Sequence, residues 1–270
     1  MTTATASAGS VAELRRLTNC PMMECKKALE EANGDFEKAQ VILREKLGAT
    51  SSTNLSSKEG LLALATHTYE DGLMKYSLVE ITTSTDFAAN SLEAKEAIDR
   101  MANDLLLTHG ENQTSELTTL KSKVLEPIAL ARSYTSPQFG GNGVKIGHYM
   151  HHDRKTASIV VASNADSVSQ EVMNQVAMHL AGTEPEPVAS RPEEVTEHYL
   201  TKEREFRTKQ AIASGKPPEI QAKMVAGAMT KFRTTLSLTG QPYLLNPSKT
   251  VADILGSAIV VDFRKWKVGF

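Results

Sequence analysis

The sequence lacks any apolar run of about eighteen residues, so no membrane-spanning segment is expected. It has little cysteine: Cys20 and Cys25, both near the N-terminus, are the only two. A secreted scaffold built on disulfides would carry more and spread them out. The pair is not spaced as Cys-x-x-Cys and has no histidine nearby, so neither redox nor zinc chemistry is expected of it. A reducing cytosol is the natural setting. Aromatics are scarce as well, 5% with the single tryptophan at Trp266, so alanine, leucine and valine must do most of the packing. Excess charge is absent too: 30 Lys+Arg stand against 32 Asp+Glu. That balance leaves no basic footprint for direct nucleic-acid binding. Residues 1–10 contain neither Lys nor Arg and no apolar core, which reads as a short flexible tail and not a secretory or transit signal; the cytoplasm is the expected compartment.

What is present suffices for roughly two or three compact units, with 270 residues of which 40% are hydrophobic. Residues 1–50 read as a small three-helix bundle. Val11, Leu14 and Leu17 recur at helical spacing. Pro21 sits where a second helix can begin, and Met22, Cys25 and Leu29 give that helix an apolar stripe. Asn33-Gly34-Asp35 is a turn with Asp35 as N-cap of a third helix, whose inner face is Phe36, Ala39, Leu43 and Leu47, with Gly48 as its stop. The Ser-, Thr- and Lys-rich stretch from Ala49 to Glu59, bounded at 51–59, reads as a linker.

A first core module is expected over 60–140. Leu61–Tyr69 and Leu73–Thr82 flank Asp71-Gly72, a strong hairpin signal. A polar corner, Thr83-Ser84-Thr85-Asp86, leads into a helix. Asn90 with Glu93 resembles a capping box, and Leu92, Ile98, Met101 and Leu105 line one side. Another helix is expected from Ser115 to about Ala131. A second module is expected over 141–270. Val144–Met150 and Thr156–Ser163 form a hairpin around His151-His152-Asp153-Arg154, followed by a helix carrying Val172, Val176, Met178 and Leu180. Ser77-Leu78-Val79 and Ser158-Ile159-Val160 each run through a polar corner into a helix, which suggests two related hairpin-plus-helix modules. Two polar helices around Gly215-Lys216-Pro217-Pro218 form an antiparallel helical hairpin inserted at about 193–236, a surface for homodimer contacts. Ser248 is placed as the cap of a short helix over Lys249–Leu255, and Ala258–Val268 as a final strand. The fold class is therefore α+β.

Several segments resemble the elongation factor Ts family. Met22-Met23-Glu24-Cys25-Lys26-Lys27-Ala28-Leu29-Glu30-Glu31-Ala32-Asn33-Gly34-Asp35 matches its N-terminal signature, and Thr85-Asp86-Phe87-Ala88 its core motif. Ala177-Met178-His179 lies in the matching helix of the second module. Ser214-Gly215-Lys216-Pro217 with Lys223-Met224-Val225 is similar to its helical hairpin. Ser237-Leu238-Thr239-Gly240-Gln241-Pro242-Tyr243 and Pro247-Ser248-Lys249-Thr250-Val251 resemble its C-terminal return. The matches occur in order over about Val11 to Val251. Departures are Thr18-Asn19-Cys20-Pro21 before the methionine pair, the Ser51–Ser57 linker, and Gly256 to Phe270.

The resemblance implies a non-enzymatic protein, without cofactor, that binds the GTPase elongation factor Tu and promotes GDP release. It implies that Leu14, Met22 and Met23 contact a helix of that GTPase. It also implies that Asp86 and Phe87 wedge beside its Mg²⁺ region, and that His179 helps to push on its phosphate-binding loop. Without the resemblance, the residues read more plainly: Asp86 caps a helix, Phe87 packs beneath it, and His179 is a packed or surface residue. His148, His151, His152 and Asp153 fall on a hairpin turn with no second ligand cluster, so a metallohydrolase is disfavoured. Gly140 to Gly143 lacks the Lys and Ser/Thr of a phosphate loop. The bundle also resembles a ubiquitin-associated domain, which leaves an adaptor as the alternative class. A structural role beside Tu in an RNA-phage replicase is the other.

Overall fold

The computed structural model describes residues 10, 11, 14, 22–39, 42, 43, 59–141 and 143–269, except the side chains of Met22 and Glu24. Leu17, Cys20, Pro21, Leu47, Gly48 and the linker up to Lys58 therefore lie outside the described residues. In the N-terminal region, α1 runs Met22–Glu31. Asn33 (φ 51°) and Gly34 (φ 83°) turn the chain, and Asp35 Oδ1 accepts the Lys38 N–H at 3.1 Å. Val11, Leu14, Cys25, Leu29, Ala39 and Leu43 bury one apolar cluster there.

The remaining chain builds two three-stranded antiparallel sheets. In the first, β1 (Glu59–Thr68) pairs with β2 (Met74–Thr83), and β2 with β3 (Ile128–Thr135). In the second, β4 (Lys145–Met150) pairs with β5 (Thr156–Ser163), and β5 with β8 (Ile259–Lys267). Helices α2 (Asp86–Asn90), α3 (Leu92–Leu107) and α4 (Gln113–Val124) follow the first hairpin; α5 (Gln170–Gly182) follows the second.

Strand alternation assigns each side chain to a layer. Val79 and Ile81 of β2 face Ile98, Met101 and Leu105 of α3, while Tyr76 and Leu78 face Ile159 and Val161 of the other sheet. Val160 and Ala162 of β5 turn the opposite way, onto Val176 and Leu180 of α5. The order of layers is helix, sheet, sheet, helix. β5, buried on both faces, carries a near-continuous apolar run over Ile159–Ala162, whereas β2 sets Lys75, Ser77 and Glu80 among its apolar residues. Gly147 of β4 lets α5 approach closely, since a Cβ there would lie 2.1 Å from the Met173 carbonyl oxygen.

Between α5 and β8 the chain forms α6 (Glu197–Ala213) and α7 (Pro218–Thr235), antiparallel around Gly215, φ 66°. A small hairpin, β6 (Pro242–Tyr243) and β7 (Asn246–Thr250), and helix α8 (Val251–Leu255) complete it. Among the described residues, no helix is long and apolar enough to cross a membrane.

Five expectations are corrected. The helix placed over Ser115–Ala131 stops at Val124, because Leu125 turns left-handed (φ 59°) and Pro127 disfavours helix at Glu126; Ile128–Thr135 is instead a strand. The cap of α3 is Ser91, whose hydroxyl accepts the Ala94 N–H, and not Asn90, which donates to the Asp86 carbonyl. Leu92 sits on the outer face of α3 and is 67% exposed. Thr250, with Asp253 as its reciprocal partner, caps α8, while Ser248 and Lys249 lie in β7. Glu59, counted with the linker, opens β1 opposite Thr83.

Candidate partner-docking site

The end of β2 is a rigid corner. The buried Thr83 hydroxyl donates to the Thr85 carbonyl at 2.7 Å. Thr85, extended at φ −133°, caps α2 by accepting the Ala88 N–H at 3.1 Å. Ala88 and Ala89 fill the space beneath. With both underside positions taken by alanine, Asp86 and Phe87 are directed outward, and Phe87 is 81% exposed. The plainer reading of these two residues therefore does not hold: Thr85 is the cap, and among the described residues no core receives the phenyl ring. The corner thus offers an aromatic ring to solvent on a fixed, capped turn.

His179 is placed very differently. It is 2% exposed, on the inner face of α5. Its Nδ1 accepts the Leu244 N–H at 3.1 Å, so the ring proton sits on Nε2, 3.1 Å from Gln241 Oε1. The Gln241 amide is itself fixed by donating to the carbonyls of Pro185 and Thr235. Burial holds the His179 pKa below the ordinary imidazole value, against the opposing pull of the Gln241 bond. The ring does not reach the surface; what it holds there is the tight turn between β6 and β7. Leu244 and Leu245, 50% and 52% exposed, stand at that turn. Sequence reasoning passed over this leucine pair, although two adjacent leucines between Tyr243 and Asn246-Pro247 were a visible signal.

The turn between β4 and β5 lies between these two places. Arg154 pairs with Asp99 of α3, and Lys155 with Glu59 of β1. The Glu59 carboxylate, with Asp153 and Asp86 farther off, raises the Lys155 pKa. On its other flank, His151 and Thr156 join Tyr149, Met178 and Leu244 around an open groove of about 400 Å³. His151 Nδ1 lies 2.9 Å from the Tyr149 hydroxyl, and the His151 and His152 rings are 4.3 Å apart. Among the described residues, no three His, Cys, Asp or Glu converge as a metal site.

In the N-terminal cluster, Met23 is 62% exposed. Leu14, expected at the contact surface, is instead fully buried in one apolar cluster with Cys25 and Leu29. The side chain of Met22 lies outside the described residues.

Fold and site together define an α+β protein that presents apolar side chains on rigid turns, an arrangement suited to contact. Comparison with known proteins gives the family. Residues 79–270 match the family model described as Elongation factor TS. The elongation factor Ts of Photobacterium profundum is 37% identical to the chain, over 98% of this chain and 92% of the relative. Those of Photorhabdus laumondii and Neisseria meningitidis are 34% and 35% identical, each over 97% of this chain and 92% of the relative. The chain belongs to the elongation factor Ts family, and so among the elongation factors of protein biosynthesis.

Proposed function

We propose that this protein is a guanine nucleotide exchange factor for elongation factor Tu, acting in the cytoplasm without covalent chemistry. The observation that carries the proposal is Phe87, exposed at 81% on a corner held by Thr83 and Thr85, in a chain of this family. An exchange factor must bind the nucleotide-free GTPase far better than the GDP form. By linkage, factor and GDP then weaken each other equally. A shift of about 10⁴ needs about 5.5 kcal/mol of differential contact. Burying one phenyl ring supplies about 1.5–3 kcal/mol of that, and a broad docking surface the rest.

In this reading the N-terminal bundle, ubiquitin-associated-like in form, docks through the methionine pair. Phe87 wedges beside the Mg²⁺ region with Asp86 next to it. His179 acts at one remove, by setting the Leu244–Leu245 turn against the phosphate-binding loop side. The two sheet-and-helix halves are related modules, with the α6–α7 hairpin inserted in the second. Exposed Phe206, Ile212, Ile220 and Met224 on that hairpin support self-association, which sedimentation across a concentration series tests.

The test of exchange is release of fluorescent GDP from bacterial elongation factor Tu under a chase of excess GTP. Acceleration by the wild type and its loss in Phe87→Ala are expected. No acceleration with any bacterial Tu would sink the proposal.

A further inference from the structure

We infer that Glu126 is a positioning residue for the Phe87 corner, acting through the Thr85 hydroxyl; this rests on the exchange reading above and deepens it. The β2–β3 ladder ends with Thr83 opposite Ile128. Two residues beyond that end, after β2 and before β3, stand Thr85 and Glu126. The register alone thus sets them face to face, and the Thr85 hydroxyl donates to Glu126 Oε2 at 2.7 Å. The Thr85 hydroxyl oxygen in turn accepts the Ala88 N–H at 3.1 Å. A hydroxyl has one proton and rotates freely unless that proton is engaged. With the proton committed to Glu126, a lone pair is left facing Ala88, and the cap that aims α2 is fixed. The backbone route to Glu126 is itself forced. Leu125 ends α4 at φ 59°, ψ 20°, its N–H bonded to the Lys121 carbonyl at 3.2 Å, and Pro127 follows at once. Leucine enters the left-handed region only at a cost, and such residues cluster where a site must be held in place. A helix continuing past Val124, as the sequence alone suggests, would not make this contact.

The test uses the full chain with Tu and four variants. Glu126→Gln and Thr85→Ser keep the acceptor and the hydroxyl; Glu126→Leu and Thr85→Val remove them. Two quantities are read: hydrogen exchange at the Ala88 amide in the free protein, and the ratio of Kd values for GDP-bound and nucleotide-free Tu. Loss of active protein by unfolding shifts both Kd values alike and leaves their ratio in place. Glu126→Leu and Thr85→Val are expected to speed exchange at Ala88 and to lower the Kd ratio, each by about fivefold, the size of one lost helix cap. The conservative pair should stay near wild type. Unchanged Ala88 protection in Glu126→Leu would overturn the inference, as would equal damage by Glu126→Gln. So would lost protection with an unchanged Kd ratio while Phe87→Ala lowers it. If Phe87→Ala leaves the ratio unchanged, the exchange reading is what fails, and the Ala88 amide alone decides the role of Glu126.

Discussion

Arg154 and Asp99 form a bidentate pair, 2.8 Å at each limb, that ties the β4–β5 turn to helix α3. The Arg154 carbonyl also accepts the Leu62 N–H at 2.8 Å, so the second sheet's turn is bonded to both the helix and the edge strand of the first half. Planar forks of this kind position as well as attract.

Replacing Arg154 by alanine is expected to lower stability by about 1 kcal/mol, a modest figure because both side chains are partly exposed. Arg154→Lys keeps the charge but not the fork and should recover less than half of the loss. Urea denaturation midpoints read both, and an unshifted midpoint in Arg154→Ala would show the pair to be passive.

Phe87→Ala separates function from stability. The ring is 81% exposed, so the change should move stability by no more than about 0.5 kcal/mol. The same change is expected to slow stimulated GDP release by roughly ten- to hundredfold, the rate equivalent of burying the ring in a partner. A melting temperature that falls together with the rate would place Phe87 in the fold and not at the interface.

His179 makes stability depend on pH in a known direction. Its folded pKa is lowered by burial, so the unfolded chain binds the proton more readily. Stability from this group is therefore complete above the unfolded value of about 6.5 and declines as pH falls below it. Protonation would also put an N–H on Nδ1 against the Leu244 N–H that it now accepts. Denaturant midpoints at pH 7.5 and 5.5 should differ more in the wild type than in His179→Gln. Equal differences would mean that another group sets the acid limb.

The elements legible in the sequence are those in which one local signal dominates. Asp71-Gly72 marks the first hairpin, an interrupted apolar run marks β2 and a near-continuous one β5, and Asp35 and the Gly215 turn punctuate their helices. β3 was hidden because Gln113–Val124 is helical and Ile128–Thr135 carries Ala and Arg among its β-branched and aromatic residues; only pairing with β2 makes it a strand. The corner residues Asp86 and Phe87 were found through a motif. The network beneath His179 was not, because Gln241 and Leu244 lie 62 and 65 residues away. Leu92 faces outward because the cap is Ser91 and not Asn90, which leaves Ala94 as the first inward residue of α3.

Ser77 and Ser158 offer the sharpest test of whether the two halves are related modules. Each sits fully buried on the central strand of its sheet, and each hydroxyl donates to a carbonyl of the helix packed on that sheet, Ala102 at 2.7 Å and Ala177 at 2.6 Å. The ladder shifts register between Glu80 and Ile81 in one sheet and between Val161 and Ala162 in the other, the same distance past each serine. Strand, bulge and helix contact thus repeat at one offset. Each Ser→Ala change removes one buried hydrogen bond without adding bulk and should cost about 1 kcal/mol. Ser→Val at either position adds volume where helix and strand already touch and should cost more, about 1–3 kcal/mol. The two positions should agree within about 0.5 kcal/mol for both changes, since the environments repeat. A clear cost at Ser77 beside none at Ser158 would show that the shared geometry is not a shared design.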